Sequence, residues 1–532
     1  MNAFNRLLTS AAIGLAVAVS AGSATFAETP ANMLVIAHRI DDITTLDPAE
    51  SFEFAGSDVS RNIYQKLVNF DPNDLEAGYQ PEIAESWDVG EDGATITFTI
   101  RDDLTFHSGN PVRPEDVVFS LRRAVILNKT PSFILTQFGF TAENVEETIT
   151  SDGNTVTITT DKPYATSFVL NCLTATIGGI VDMETVMANE VDGDMGNTWL
   201  KTNSAGSGAY KLVNWRPNES VTLESNPDFY LGAPAMERVV VRHVIESASQ
   251  RLLLERGDID IARNLNPEDV AGASSVDGVK IVDELKGRLM YVSLNQKHPE
   301  LSKPEVRQAF KYLVDYEGMK NSFLNGQYTI HQNFLPQTYL GASDEAPFTL
   351  DIERARELLA SAGVEGLEIE VGVREAQERI EIAQSLQNAL AQVGVTMNIT
   401  VGTAKQILSR YRARELDVYL GAWGPDYPDP QTNAGTFAYN PDNSDEAQAT
   451  GLLAWRNSWD TGGLTEKVEA AVTENDRDAR AQMYEEIQAQ FRETSPFVVM
   501  FQQIEQSAMQ DNVTDFSTGQ AITAASYWQV TK

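Results

Sequence analysis

PEIAESWDVGEDGATITFTIRDDLTFHSGNPVRPEDV, residues Pro81 to Val117, is the stretch on which the fold turns. Its centre, Thr95-Ile96-Thr97-Phe98-Thr99-Ile100, alternates strictly between hydroxyl and apolar side chains, the period-two pattern of a strand with one buried face. Asp92-Gly93 in front of it is a hairpin turn signal. Phe106-His107-Ser108-Gly109 ends a strand in a second turn, where glycine supplies the backbone freedom. Pro114 then opens a helix to Leu127, with Glu115 and Asp116 at its positive end. The hairpin device returns about 60 residues on, where Asp152-Gly153 precedes Thr155-Val156-Thr157-Ile158-Thr159. Residues 70–200 therefore read as a β-rich unit with a few helices. Trp87 and Phe106, large and apolar beside turns, belong to its core, and His107 is a hydrogen-bonded structural residue.

Outside this unit the texture changes. Upstream, Leu34–Ala37 is a short strand, Asp47-Pro48 a turn, and Ser57–Phe70 a helix with Val59, Ile63, Leu67 and Val68 on one face. Downstream come strands at Tyr210–Trp215, Val221–Ser225 and Arg238–Ile245, a helix at Glu246–Glu255, and a short strand after Gly257-Asp258-Ile259-Asp260. Beyond about residue 300, helices at Pro304–Leu313, Ile352–Ser361, Ala376–Val393 and Lys405–Arg414 enclose strands at Leu367–Val373, Thr396–Val401 and Leu416–Ala422. Leu464–Glu474 and Ala479–Glu493 add two helices before the strand Phe497–Phe501. Arg307 is expected to pack through a salt bridge. Helices alternating with strands argue for an α/β layer on a mixed sheet. The chain is read as two lobes, one β-rich and one α/β, without a low-complexity linker.

Composition sets the outer limits. Forty Lys and Arg against 76 Asp and Glu leave a net charge of −36 over 532 residues, so nucleic acid and anionic membrane surfaces are repelled. One cysteine, Cys172, excludes an internal disulfide framework and any CxxC site. Arg6, the apolar run Ala11–Val19 and the small residues up to Ala27 follow the pattern of a secretory signal over 1–27. The run is too short to span a bilayer, and no cysteine follows it to carry a lipid. The expectation is an exported, freely soluble periplasmic protein. No G-x-S-x-G elbow, phosphate loop, H-E-x-x-H helix or G-x-G-x-x-G turn occurs, and His38, His107, His243, His298 and His331 are scattered. Binding without a cofactor, a metal or catalysis is the expectation.

The order and spacing of Pro81–Trp87, Asp92-Gly93, Phe98–Arg101, Leu104–Gly109 and Glu115–Val117 resemble the family 5 solute-binding proteins of ABC importers. Gly206–Tyr210, Asn226–Tyr230, Gly257–Asp260, Asn295, Val306–Ala309 and Val314-Asp315 continue the resemblance over the rest of the mature chain. It implies a two-lobed α/β periplasmic-binding-protein fold with mixed sheets, a β-rich subdomain inserted in the first lobe, and two chain crossings. The boundaries are set at 28–288 for the first lobe, 289–502 for the second and 503–532 for the return. A monomer delivering a di- or oligopeptide to inner-membrane permease subunits is the implied function.

The loop Ala422-Trp423-Gly424-Pro425-Asp426-Tyr427-Pro428-Asp429-Pro430 leaves the end of a strand, where open α/β sheets bind ligands. Its prolines stiffen it, and Trp423 and Tyr427 offer flat walls with a polar edge. By resemblance Asp426 pairs with a peptide's α-ammonium; Asp429 is either a second contact or a turn former. A buried zwitterion needs a partner at both ends. The resemblance points to Arg374 for the carboxylate, with Arg379 as the alternative. Phe54 is a first-lobe candidate, and Trp455 and Trp459 either line the pocket or pack in the core. The rival readings are another cargo on the same fold (an opine, an oligosaccharide, a metal chelate), an exported hydrolase, or a peptide chaperone or adhesin. Nickel is disfavoured because neither loop carries a histidine.

Overall fold

The computed structural model describes residues 28–521 and 525–532; the signal segment expected at 1–27 lies outside them. The strand Thr95–Ile100 buries Ile96, Phe98 and Ile100 and leaves its threonines half-buried. Each fully buried side chain of this kind contributes about 1.5–3 kcal/mol. Asp92 Oδ1 accepts the N–H groups of Ala94 and Thr95, both at 3.0 Å, and Gly93 takes φ 66°. The strand pairs antiparallel with Ala84–Val89 on one side and Thr155–Thr159 on the other, and Ile149–Asp152 completes a four-stranded sheet. The helix Pro114–Leu127 begins where Asp116 accepts the N–H of Arg113 at 2.9 Å, and Asn128 ends it in the left-handed region. It packs on the sheet through Val117, Leu121 and Val125, sharing a core with Phe98 and Phe106, and Trp87 lies at the edge of that core. His107 Nε2 stands 3.0 Å from the carbonyl of Gly208, tying this unit to the body of the molecule.

That body is one eleven-stranded sheet. From one edge its order is Thr396–Gly402, Glu368–Arg374, Val418–Trp423, Val279–Leu294, Phe497–Gln510, Ile261–Ala262, Met33–His38, Arg238–His243, Ser220–Ser225 and Tyr210–Arg216, with Tyr328–Ile330 beside Phe497–Gln510. The two long strands Val279–Leu294 and Phe497–Gln510 run antiparallel through the middle and carry the chain from one lobe to the other and back. Their register slips between Leu285 and Leu289. One lobe is built on Leu34, Ile36, Val239 and Ile261; in the other, Val371, Val418 and Leu420 face one set of helices and Tyr291, Tyr419 and Phe437 another. Among the described residues no helix is long and apolar enough to cross a membrane.

Several local expectations are corrected. The first helix is Phe54–Ile63, and Leu67 and Val68 are buried by extended pairing instead, Val68 standing opposite Pro81 in a strand Val68–Asp71. The final strand does not stop at Phe501. Its polar half, Gln502–Ser507, pairs with the crossing strand, and Glu505 meets the buried Arg263 at 2.9 Å. Periodicity could not show this, because an interior polar strand looks like a loop. Among the described residues Arg307 has no acidic partner within ion-pair distance; it donates to Gln296 Oε1 at 2.6 Å and to the Ser302 carbonyl at 3.1 Å.

Candidate functional site

Glu368–Arg374 and Val418–Trp423 are parallel neighbours, with Val371 opposite Val418 and Val373 opposite Leu420. Both therefore end on the same side, Arg374 closing one strand and the loop from Ala422 leaving the other. At those carboxyl ends lies a cavity of about 880 Å3. Its second-lobe wall includes Arg374, Arg412, Trp423, Asp426, Tyr427 and Arg456; its first-lobe wall includes Asp42, Glu53, Phe54, Phe133, Gln137 and Thr176. No histidine lines it, and among the described residues no group of three His, Cys, Asp or Glu side chains is placed to hold a metal ion.

Asp426 is half-buried on this wall, its N–H donating to Thr432 Oγ1 at 3.1 Å. Burial pushes its carboxyl up to about 7, against a smaller opposing effect of the Thr432 hydroxyl. Among the described residues no cationic side chain lies within ion-pair distance of it, and the cavity is where a cation would reach it. Arg374 is half-buried, and its Nε has no hydrogen-bond partner among the described residues. Trp423 lines the same space, set edge-on to Phe437 at 6.3 Å, and its Nε1 has no hydrogen-bond partner among the described residues. Phe54, 46% exposed, begins the first helix and faces them from the other lobe.

Tyr427 has two roles. It lines the cavity, but its ring also packs on Phe168 at 5.9 Å and its hydroxyl stands 3.5 Å from Gln137 Oε1. Beside it the Ala165 N–H donates to the Val472 carbonyl at 2.9 Å, so the lobes touch next to the cavity.

Asp429 is corrected: it is fully buried and absent from the cavity wall. It caps the helix Pro430–Phe437 by accepting the Gln431 N–H at 2.9 Å, and its oxygens take Arg480 in a bidentate pair at 2.8 and 2.9 Å. Asn171 donates to it at 3.0 Å. A carboxylate this satisfied has nothing left for a ligand. Arg379, the alternative to Arg374, is buried away from the cavity. Trp455 and Trp459 are core residues. Trp455 donates to the Ser444 carbonyl at 2.8 Å under the Arg414 guanidinium, while Trp459 packs on Phe491 at 5.8 Å and on Phe497 at 6.2 Å.

Sequence reasoning missed Asp42, Glu53, Gln137, Arg412 and Arg456. Arg412 stands in the run Arg410-Tyr-Arg412-Ala-Arg414, an available but non-specific cue, and Arg456 lies next to the tryptophan that drew attention. Nothing local marked the other three.

The family model for bacterial extracellular solute-binding proteins, family 5 Middle, matches residues 78–445. The "Probable D,D-dipeptide-binding periplasmic protein DdpA" of Escherichia coli is 26% identical over 497 residues, covering 92% of each chain. The "Di/tripeptide-binding protein 2" of Pseudomonas aeruginosa is 26% identical over 494 residues, covering 88% of this chain and 90% of its own. Among solved structures, the periplasmic binding protein DppA of Helicobacter pylori, in complex with the peptide STSA, superposes with a TM-score of 0.78. That superposition covers 94% of this chain and 98% of the other at 22% identity, a likeness of fold.

Proposed function

We propose that this chain, which belongs to the family 5 bacterial extracellular solute-binding proteins, captures a peptide-like solute between its lobes and hands it to the permease of an ABC importer. The observation that carries the reading is the pairing of opposite charges on one cavity. Asp426 and Arg374 line the same space, and neither has an ion-pair partner among the described residues. A zwitterion brings an ammonium to one and a carboxylate to the other, and each charge-assisted bond is made where water is excluded. Trp423 and Phe54 supply apolar walls for what lies between. The names of the dipeptide-binding relatives are in keeping with this.

The mechanism is a clamp. The ligand binds the closed arrangement more tightly than the open one and shifts that equilibrium. The proposed hinge lies within the two crossing strands, with lobes at 28–288 and 289–502 and the return at 503–532, at the register slip between Leu285 and Leu289. Export with cleavage after Ala27, a soluble periplasmic monomer and a role without catalysis complete the proposal.

The test is Asp426→Asn, which keeps the side chain's shape and removes its charge. A charge-assisted hydrogen bond contributes about 1.5–3 kcal/mol, and stranding a desolvated charge costs about 3–5 kcal/mol. Affinity for a free-amine dipeptide is expected to fall about ten- to several-thousand-fold by calorimetry. An N-acetylated dipeptide binds the parent weakly and loses little more in the variant. Equal losses for both peptides would make Asp426 structural and remove the ammonium site.

A further inference from the structure

The second-lobe side of the cavity carries more positive charge than one carboxylate uses, while the acids Asp42 and Glu53 stand on the first-lobe side. Arg374, Arg412 and Arg456 all line it, and among the described residues none of the three has a carboxylate within ion-pair distance. Their neighbours behave differently. On the same helix and just beyond it, Arg410 grips Glu370 at 2.7 and 2.8 Å, and Arg414 takes Asp445 at 2.7 Å. A chain with 76 acidic residues thus pairs the arginines on either side of Arg412 and leaves Arg412 open to the cavity. Arg456 is held in place: its Nε donates to the Thr450 carbonyl at 2.7 Å and its guanidinium lies 5.3 Å over the Tyr411 ring. Arg374 keeps a buried Nε without an acceptor. Arg412 feels the other two: partial burial, then the Arg456 charge and, after an opposing effect of Tyr419, the Arg374 charge lower its pKa. A guanidinium stays protonated, so titration does not relieve this repulsion, whereas a bound anion does.

We propose that Arg374, Arg412 and Arg456 together hold two anionic groups, so that the cargo is a peptide-like amine bearing an acidic side chain besides its terminal carboxylate. This rests on the peptide reading and narrows it. One carboxylate offers two oxygens, enough for one fork or two shared ones, whereas three guanidinium groups present three forks. The second anionic group neutralises what the first leaves over. Among the described residues Asp426 has no arginine within ion-pair distance, so it stays available to the ammonium while the arginines take the anions.

The test compares alanyl-glutamate with alanyl-glutamine, equal in shape and different by one charge, by titration calorimetry on the mature protein. Alanyl-glutamate is expected to bind about ten- to a hundred-fold more tightly. In Arg412→Gln, a change at an exposed side chain, the ratio is expected to shrink towards one, with the thermal midpoint recorded to show a folded protein. Arg456→Lys, which keeps the charge and loses the fork, falls between. Equal binding of the two peptides by the parent, or an unchanged ratio in Arg412→Gln, overturns the proposal. If neither dipeptide binds, the peptide reading has failed, and glutarate against butyrate decides the arginine cluster alone. Thermal stabilisation by the dianion that Arg412→Gln abolishes supports the cluster; no stabilisation refutes it.

Discussion

The pH dependence of binding follows from one side chain and is worked from its environment. Asp426 is held at about 7 in the free protein because burial disfavours its charge and, among the described residues, no cation stands within ion-pair distance to compensate. On the proposed reading a ligand ammonium supplies that cation, and the bound carboxyl is then expected to return towards its ordinary range near 4. The free pKa is thus higher than the bound one, and the ammonium interaction is complete above about 7 and lost as pH falls through it. At pH 7 about half the free protein carries the ionised form, and at pH 5 about 1% does, a ratio of about 50. The peptide's own amine, with pKa about 7.7–8.0, gains only about 1.2-fold in protonation over the same interval. The net expectation is a loss of about 40-fold, or about 2.2 kcal/mol.

Titration calorimetry of a free-amine dipeptide at pH 7 and pH 5 reads this directly. At pH 7, two buffers of different ionisation enthalpy should also reveal a net release of about 0.3–0.4 proton per ligand, the half proton from Asp426 less what the peptide amine takes up. The N-acetylated peptide is the control and should lack the proton release. Affinity that is flat from pH 7 to pH 5, or that declines equally for the acetylated ligand, refutes the assignment of Asp426. A carboxyl raised on folding also weakens the fold as it ionises. Asp426→Asn should accordingly raise the thermal midpoint of the free protein more at pH 8 than at pH 4.

Asp429→Asn should do the reverse of Asp426→Asn: breaking the buried pair with Arg480 costs about 3–5 kcal/mol of stability, read as a lowered thermal midpoint, with no discrimination between free-amine and acetylated peptides. Saturating ligand should compact the molecule in small-angle scattering, because two lobes joined by two strands close as rigid bodies; an unchanged radius of gyration contradicts the clamp. Intact mass of the exported protein should place its first residue at or near Glu28, and a start inside the apolar run Ala11–Val19 would contradict the proposed cleavage.

What was legible in the sequence follows from the range of the signals. The alternation Thr95–Ile100 and its turn Asp92-Gly93 are local, and the strand stands where alternation puts it. Leu67 and Val68 satisfied a helical period by accident; their burial comes from pairing with the segment around Pro81, a contact no window on that stretch contains. The same limit explains the loop. Asp426 and Asp429 are three residues apart, both acidic and both beside proline, and local chemistry treats them alike. Arg480, about fifty positions on, separates them by occupying both oxygens of Asp429 and leaving Asp426 to the cavity.

Charge poses the same problem on a larger scale, and magnitudes resolve it. A net charge of −36 argues against an anionic ligand if the molecule is treated as a sphere. At physiological salt the field of exposed acids decays over about 8 Å, so those on the outer surface act mainly on the approach of a ligand. Inside the cavity a pair of charges at 4 Å interacts by about 4 kcal/mol at an effective dielectric constant near 20. The half-buried Arg374 and the buried Arg456 line that interior, and the exposed Arg412 lines the same cavity, all without carboxylate partners among the described residues, whereas Arg410 and Arg414 on either side of Arg412 are neutralised. On the proposed reading, composition governs how fast an acidic solute arrives, and the three guanidinium groups govern how tightly it stays.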